Sequence, residues 1–179
     1  ITFTSANWDT AQTVTVTGVD DNLVDGTQNS TISISVVDVI SDDTFDAVAS
    51  QTFSASITDD DVAGFTIVEL EGSTAVDESG TTDTFTVVLN AQPDSDVVVA
   101  ITSSDTGEAS SNSPLTFTSS NWDTAQTVTV TGVDDFLLDG TITSDLVVAI
   151  VDASSDNNFD AVADQTVSVS TTDDDVAGF

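Results

Sequence analysis

The stretch QTVTVTGVDD, residues 126–135, alternates threonine and valine before it reaches a glycine and a pair of aspartates. A period of two places the valines on one face of a strand and the threonines on the other. Comparable runs lie at residues 64–70, 83–90, 95–103, 114–118, 142–152 and 164–172. Apolar spacings of three and four do not extend beyond a turn. The pattern therefore predicts an all-β fold, an antiparallel immunoglobulin-like sandwich with about seven strands per unit.

The same stretch occurs twice in the chain. ITFTSANWDTAQTVTVTGVDDNLVDG at residues 1–26 returns as LTFTSSNWDTAQTVTVTGVDDFLLDG at residues 115–140, an offset of 115 − 1 = 114 residues. The offset persists to TDDDVAGF, at 58–65 and again at 172–179. This periodicity predicts a complete unit at residues 62–175. Residues 1–61 would be the C-terminal part of an earlier unit that lacks its first strands, and 176–179 the start of a further one, so we expect an excerpt from a tandem array.

The charge composition excludes several classes of partner. The chain carries 32 acidic residues and no lysine, arginine or histidine, for a formal net charge of −32. Binding to nucleic acid or to an anionic membrane begins with basic side chains, so neither is expected as a partner. Cysteine is absent, which excludes disulfides and thiolate sites, while an apolar content of 39% supports a folded core.

The acidic residues gather in loops that an immunoglobulin-like strand order would bring to one pole. No protein cation can neutralise such a cluster, and carboxylate repulsion of roughly 1 to 4 kcal/mol per close pair favours an external cation. Oxygen ligands in this number select hard ions, and a flexible set of six to eight suits calcium better than magnesium. The ten acids of this pole are Glu71, Glu78, Asp105, Glu108, Asp134, Asp135, Asp139, Asp173, Asp174 and Asp175.

The combination LTF…QTVTVTGVDDFLLDG…TDDD, preceded by VDESGTTDTFTVVL, resembles the Calx-beta repeat. That family comprises the calcium-binding sandwiches of sodium–calcium exchangers and integrin β4. The repeat is also common in large bacterial extracellular and adhesin-type proteins. The resemblance implies calcium ligands at Glu78, Asp134, Asp135, Asp139, Asp173, Asp174 and Asp175. It implies a further ligand at Asp105 or Glu108. In the earlier copy the implied ligands are Asp20, Asp21, Asp25, Asp59, Asp60 and Asp61.

Simpler interpretations stand beside the metal hypothesis. The aspartate triplets are also compatible with a solvated surface of an acidic protein, although a solvating surface would spread its acids along the strand faces. Around SSDNNFDAVAD, residues 154–164, the aspartates either form turns or contribute to the opposite pole. Catalysis is not expected, because glycoside hydrolysis needs a carboxylic acid in an apolar pocket and the other nucleophile systems lack their residues.

We therefore expect a structural calcium-binding repeat of a long secreted or cell-surface protein, a spacer that calcium stiffens at the junctions between units. Its partners would be calcium ions and neighbouring repeats of the same chain or of identical chains, without direct membrane insertion. The alternative is a subunit of an extracellular filament or matrix, in which strands from another chain complete residues 1–61. A third hypothesis, a module that binds sugar or ice, would need a flat aromatic or threonine-rich face.

Overall fold

The computed structural model describes residues 1–70 and 72–178 and is built from β-strands, with short 3₁₀ helices at Asp38–Ile40, Asp43–Phe45, Asp152–Ser154 and Asn157–Phe159. Glu71 and Phe179, which the sequence analysis placed in an acidic loop and at the start of a further repeat, lie outside the described residues. Among the described residues, no helix has the length and apolar character that crossing a membrane requires.

The chain divides into two compact units. The first comprises Ile1–Asp21 and Asp25–Asp60, and the second comprises Asn22–Val24 and Asp61–Phe179. In the first unit, β1 (Gln28–Ile34) and β2 (Gln51–Ile57) form a two-stranded antiparallel sheet. Large apolar side chains of this unit are exposed, among them Phe3, Val14, Val16 and Phe53.

The second unit contains two sheets. One has five strands in the order β4-β11-β10-β6-β8, and the other has four in the order β3-β5-β9-β7. Their bounds are β3 Phe65–Glu69, β4 Thr74–Asp77, β5 Thr82–Leu89, β6 Val97–Ser103, β7 Ala109–Ser111, β8 Leu115–Phe117, β9 Gln126–Gly132, β10 Ile142–Ile150 and β11 Gln165–Thr172. All neighbouring strands are antiparallel except β4 and β11, which run parallel.

The alternating residues of both sheets bury one continuous core, which is consistent with a β-sandwich. Phe85 and Phe117 are fully buried, and Val128 and Val130 of the QTVTVTG strand are equally inaccessible. Burying a phenylalanine or valine side chain contributes about 1.5 to 3 kcal/mol each, so this period-two pattern supplies the main driving force for folding.

Two strands of the second unit were not expected from the sequence, which predicted about seven. β4 has the sequence TAVD and β7 has ASS, and neither is long enough to show a period. Each is added at a sheet edge: β4 pairs in parallel with β11, and β7 pairs with β9. Both short strands lead directly into or out of the acidic loops, so they position the site.

Asp156, in the stretch SSDNNFDAVAD, stabilises a turn. Asp156 is buried, and its Oδ2 accepts hydrogen bonds from the backbone N–H groups of Asp94 and Ser95 at 2.7 and 3.1 Å. Its Oδ1 accepts from Asn158 N–H at 2.9 Å. Burial raises the pKa of Asp156, but these backbone donors outweigh it and hold the pKa below the ordinary 3.8. Asp156 is thus a fully partnered structural carboxylate.

Candidate metal site

β4 delivers Glu78 to the end of β11. In the parallel register Asp77 lies opposite Thr172, and the backbone N–H of Glu78 donates to the Thr172 carbonyl at 3.0 Å. The strand crosses Gly132 at the end of β9 so closely that a Cβ on this glycine would lie 2.1 Å from the Asp77 carbonyl oxygen. A side chain at this position would push β4 away. Glycine is therefore required for Glu78 to reach its place.

The side chain of Glu78 is almost completely inaccessible, with 1% of its surface exposed. Neither of its carboxylate oxygens finds a hydrogen-bond partner among the described residues. A buried polar group without a partner carries a large desolvation cost, and for an ionised carboxylate this cost is the greatest. Such an arrangement indicates that something other than the protein's own donors completes the environment of Glu78.

Glu108 is the second buried glutamate and precedes β7. Its side chain is 5% exposed, and Oε2 has no hydrogen-bond partner within the described part of the chain. Its backbone carbonyl accepts from the N–H of Val133 at 2.9 Å, which attaches this loop to the segment that follows β9. Two loops that are distant in sequence therefore aim unpartnered carboxylates into one region.

Asp173 connects the end of β11 to the loop after β9. Its Oδ2 accepts from the backbone N–H of Gly140 at 2.8 Å, and its Oδ1 accepts from the N–H of Asp175 at 2.7 Å. Asp175 is half-buried, and its Oδ2 lacks a partner among the residues described. The first aspartate of the triplet thus orders the loop and turns the third towards Glu78.

These carboxylates converge in two groups that share Glu78. Oxygens of Glu78, Asp173 and Asp175 lie within 4.8 Å of one another, and so do oxygens of Glu78, Glu108 and Asp139. Four acids from three other segments therefore surround the buried carboxylate of Glu78. Oxygens at these separations can share a cation between them, because each needs to move little to reach a ligand distance of about 2.3 to 2.6 Å.

The electrostatics of the cluster disfavour charge on the glutamates. Burial raises the pKa of Glu78 from 4.5 to about 7, and the charge of Asp173 is the next cause. Burial, followed by the charge of Asp139, also raises the pKa of Glu108. In contrast, the N–H of Gly140 holds the pKa of Asp173 below its ordinary value. Glu78 therefore exchanges its proton near neutral pH, in the range where a cation can displace it.

The donors of this cluster fit a hard divalent cation. They are carboxylate oxygens, the chain contains no histidine or cysteine to attract zinc or copper, and it contains no lysine or arginine to neutralise the cluster from within. Glu78, Glu108, Asp139, Asp173 and Asp175 would hold the ion. A bound dication would supply the positive charge that the two buried glutamates lack.

Other acids predicted as ligands lie differently. Asp135 is half-buried, and its Oδ1 accepts from the N–H of Leu137 at 2.6 Å, whereas Asp134 and Asp174 are exposed. Asp105 uses Oδ1 to accept from the N–H of Gly107 at 3.0 Å, which forms the turn before Glu108. Neither of the two groups that surround Glu78 includes these four residues. Between the alternatives Asp105 and Glu108, the geometry favours Glu108.

The first unit repeats one part of this arrangement. Asp59, the counterpart of Asp173, accepts from the N–H groups of Asp25 and Gly26 at 3.0 and 2.7 Å through its Oδ2. Asp20, Asp21 and Asp60 are exposed, and Asp61, which belongs to the second unit, is half-buried. Counterparts of Glu78 and Glu108 would fall 114 residues earlier, before Ile1. Among the described residues, the buried pair Glu78 and Glu108 lies in the second unit.

The comparisons with known proteins leave the family open. No protein-family model and no curated protein matches this chain. Among solved structures, the apo-form Calx CBD1 domain is similar, at 14% identity over 62% of this chain and 98% of that one, with a TM-score of 0.43. The E. coli chaperone DraB is similar at 10% identity over 64% of this chain and 59% of that one, with a TM-score of 0.43.

A third similar structure is a Bacteroides ovatus GH5 xyloglucanase in complex with a XXXG heptasaccharide. It shares 13% identity over 64% of this chain, with a TM-score of 0.41, and the match covers 20% of that enzyme. This chain therefore spans a minor part of the xyloglucanase and 59% of the chaperone.

Proposed function

We propose that the second unit is a calcium-binding β-sandwich domain and that calcium is the structural partner of its buried acids. One observation carries the proposal: Glu78 is 1% exposed, has no hydrogen-bond partner in the described residues, and is surrounded by other carboxylates. A solvated acidic surface, the simpler alternative, would leave its carboxylates in water. Burial without a counterion is costly, and a dication removes that cost.

Calcium is preferred over magnesium because of the flexibility and number of the donors. The site is assembled from loops after β9 and β11 and from the ends of β4 and β7, so its oxygens can adjust to six to eight ligands. Magnesium demands a strict octahedron and retains its waters, which suits fewer carboxylates. Weak sites of this kind, with Kd of about 10⁻⁴ to 10⁻³ M, are typical of extracellular modules.

We propose further that the chain acts as a spacer in a long extracellular or cell-surface protein of tandem Calx-beta-like repeats. The order of strands in the two sheets, with β4 added in parallel to β11, supports an immunoglobulin-like arrangement. The 114-residue sequence repeat supports tandem copies. Calcium at the end of β11 would order the segment that leads out of the unit and limit its bending.

A second candidate function, assembly by strand complementation, is favoured by the open face of the first unit. Ile1, Val14, Ile32 and Ile34 line an open cleft of about 450 Å³ there. Their counterparts in the second unit, such as Val128 and Val148, are fully buried. Strands added from a neighbouring molecule would cover this face, as they would in a filament or matrix subunit.

The metal proposal is tested by calorimetric titration of the full chain with calcium, alongside Glu78→Gln. We expect Glu78→Gln to weaken binding at the second unit at least tenfold, because the substitution removes the shared ligand. The matched control is Asp145→Asn, an exposed acid on β10 outside the cluster, which removes one charge and should leave affinity within about twofold. Equal affinity of both variants, or no heat of binding in the parent chain, would contradict the proposal.

A further inference from the structure

Three consecutive apolar side chains lie exposed beside the candidate metal site. Phe136 is 90% exposed, and Leu137 and Leu138 are each 63% exposed. The turn that presents them is ordered, because the N–H of Leu137 donates to Asp135 and the N–H of Asp139 donates to the Leu137 carbonyl. Contiguous apolar exposure of this kind marks an interaction surface. Calcium coordination uses the neighbouring carboxylates and does not account for these three residues, which we name the apolar loop.

The counterpart of the apolar loop in the earlier sequence copy is Asn22–Val24, which belongs to the second compact unit. Within that unit Leu23 forms a parallel β-bridge with Gln92. The N–H of Gln92 donates to the carbonyl of Asn22 at 2.8 Å. Leu23 and Val24 are half-buried there. The segment that corresponds to the apolar loop therefore has a defined docking position, next to Gln92 in the connection between β5 and β6.

We propose that the apolar loop docks on a further copy of the repeat, at the position that Gln92 occupies in this one. Leu137 repeats Leu23 at the 114-residue offset, so the residue that would form the bridge is the same. Such a bridge is made by main-chain donors and acceptors. It therefore depends on backbone geometry and tolerates changes of side chain. The inference rests on the tandem arrangement in the proposed function but not on calcium, since the contact uses apolar and backbone groups.

The charge of the chain argues for this partner over a lipid surface. A net charge of −32 with no lysine or arginine repels anionic membranes, which would otherwise be a common target for an exposed apolar loop. Both sequence copies in this chain are acidic, but the docking position offers a backbone N–H, and Gln92 itself is neutral. Docking would half-bury Leu137 and Leu138, as Leu23 and Val24 are half-buried, and would fix one repeat to the next.

The test uses the chain extended after Phe179 by another copy of residues 66–179. Cysteine replaces Leu137 and the glutamine that repeats Gln92 in the added copy, and disulfide formation is followed under mild oxidation. The chain has no native cysteine, so no other thiol competes. Leu23→Cys with Gln92→Cys in the 179-residue chain is the positive reference. Leu70→Cys paired with the same added glutamine is the matched control, since Leu70 is also 63% exposed.

The expected result is an intramolecular disulfide that forms at least tenfold faster for the Leu137 pair than for the Leu70 pair, at a rate comparable to the reference. A rate equal to that of the Leu70 pair, a product made mostly of dimers between chains, or failure of the reference pair would each overturn the proposal. The measurement is made both with calcium and with EDTA. The same fast bridging in EDTA supports docking even if the calcium proposal fails.

Discussion

The sequence QTVTVTG occurs twice in this chain with two different structures. At residues 126–132 it is strand β9, flanked by β5 and β7, with Val128 and Val130 fully buried. At residues 12–18 it belongs to no strand, and Val14 and Val16 are 49% and 46% exposed. Because the two heptapeptides are identical, intrinsic β-propensity does not explain the difference. The neighbouring strands do, since a strand is stabilised by its cross-strand pairs and by burial.

The largest effect should come from giving residues 12–18 strands with which they can pair. A chain with residues 62–114 fused ahead of Ile1 restores the counterparts of β3 to β7. We expect residues 12–18 to become a strand, with backbone amide exchange slowed by several orders of magnitude. Trp8, which is 72% exposed, should also shift its fluorescence to shorter wavelength.

The control for this experiment carries an acidic substitution in the fused segment. Val87→Asp places a charge at a fully buried position of β5 and should abolish the protection, whereas Thr86→Asp on its half-exposed face should preserve it. Fast exchange at residues 12–18 in the unsubstituted fusion would show that local sequence, and not missing neighbours, keeps this segment out of a strand.

The two copies also differ at the glycine that ends this heptapeptide. A Cβ on Gly132 would lie 2.1 Å from the Asp77 carbonyl oxygen, whereas a Cβ on Gly18 would lie 3.5 Å from Ile57 Cγ2. We expect Gly132→Ala to destabilise the second unit by about 1 to 3 kcal/mol, a typical cost of overpacking, and to weaken calcium binding by displacing Glu78. Gly18→Ala should change stability by less than about 0.5 kcal/mol.

Urea unfolding followed through Trp122, in a Trp8→Phe background, measures this difference at the second unit. Trp122 packs against the core, so its fluorescence reports the loss of that unit. Calcium titration of the same two variants measures the effect on the site. If Gly132→Ala and Gly18→Ala behave alike in both measurements, the close approach of β4 to β9 does not position Glu78.

The stability of the second unit should also depend on pH, because of Glu78. Without calcium, Glu78 in the folded chain has a pKa of about 7 against an ordinary 4.5, so the folded state holds an additional proton between these values. Stability of the second unit should then decrease as pH rises through this range. With calcium the trend reverses, because the ion needs the deprotonated carboxylate and its stabilisation grows as pH rises.

Melting curves between pH 4.5 and 8, with calcium and with EDTA, test this prediction. Glu78→Gln should flatten both trends, since glutamine does not titrate and cannot replace the carboxylate. Glu69→Gln, at a half-buried acid of β3 outside the cluster, is the control and should preserve them. Melting temperatures in EDTA that rise from pH 4.5 to 7 would contradict the placement of Glu78 as a buried, unpartnered acid.

The long strands could be predicted from the sequence because their periodicity reflects burial directly. QTVTVTG and TDTFTVVL each present alternate residues to one core. β4 and β7 could not, because TAVD and ASS are too short to show a period and become strands through the edges of β11 and β9. The same limit applies to residues 12–18, which alternate in the same way but belong to no strand among the described residues.

The candidate site was predictable in its residue types and less so in its geometry. Runs of acids without any cation indicate a metal, but loops have no period that would tell an inward carboxylate from an outward one. Asp174 is exposed between two half-buried aspartates, and Asp105 forms a turn while Glu108 is buried three residues later. These assignments depend on how β4 and β11 end and on where β7 begins, which only the folded chain establishes.

The most direct measurement is a crystal structure of the chain grown in calcium and recorded at a wavelength where calcium scatters anomalously. The account predicts an anomalous peak within about 2.3 to 2.6 Å of an oxygen of Glu78, with ligands from Glu108 or from Asp173 and Asp175. Glu78 buried as described, with no anomalous peak near either of its oxygens at saturating calcium, would contradict it.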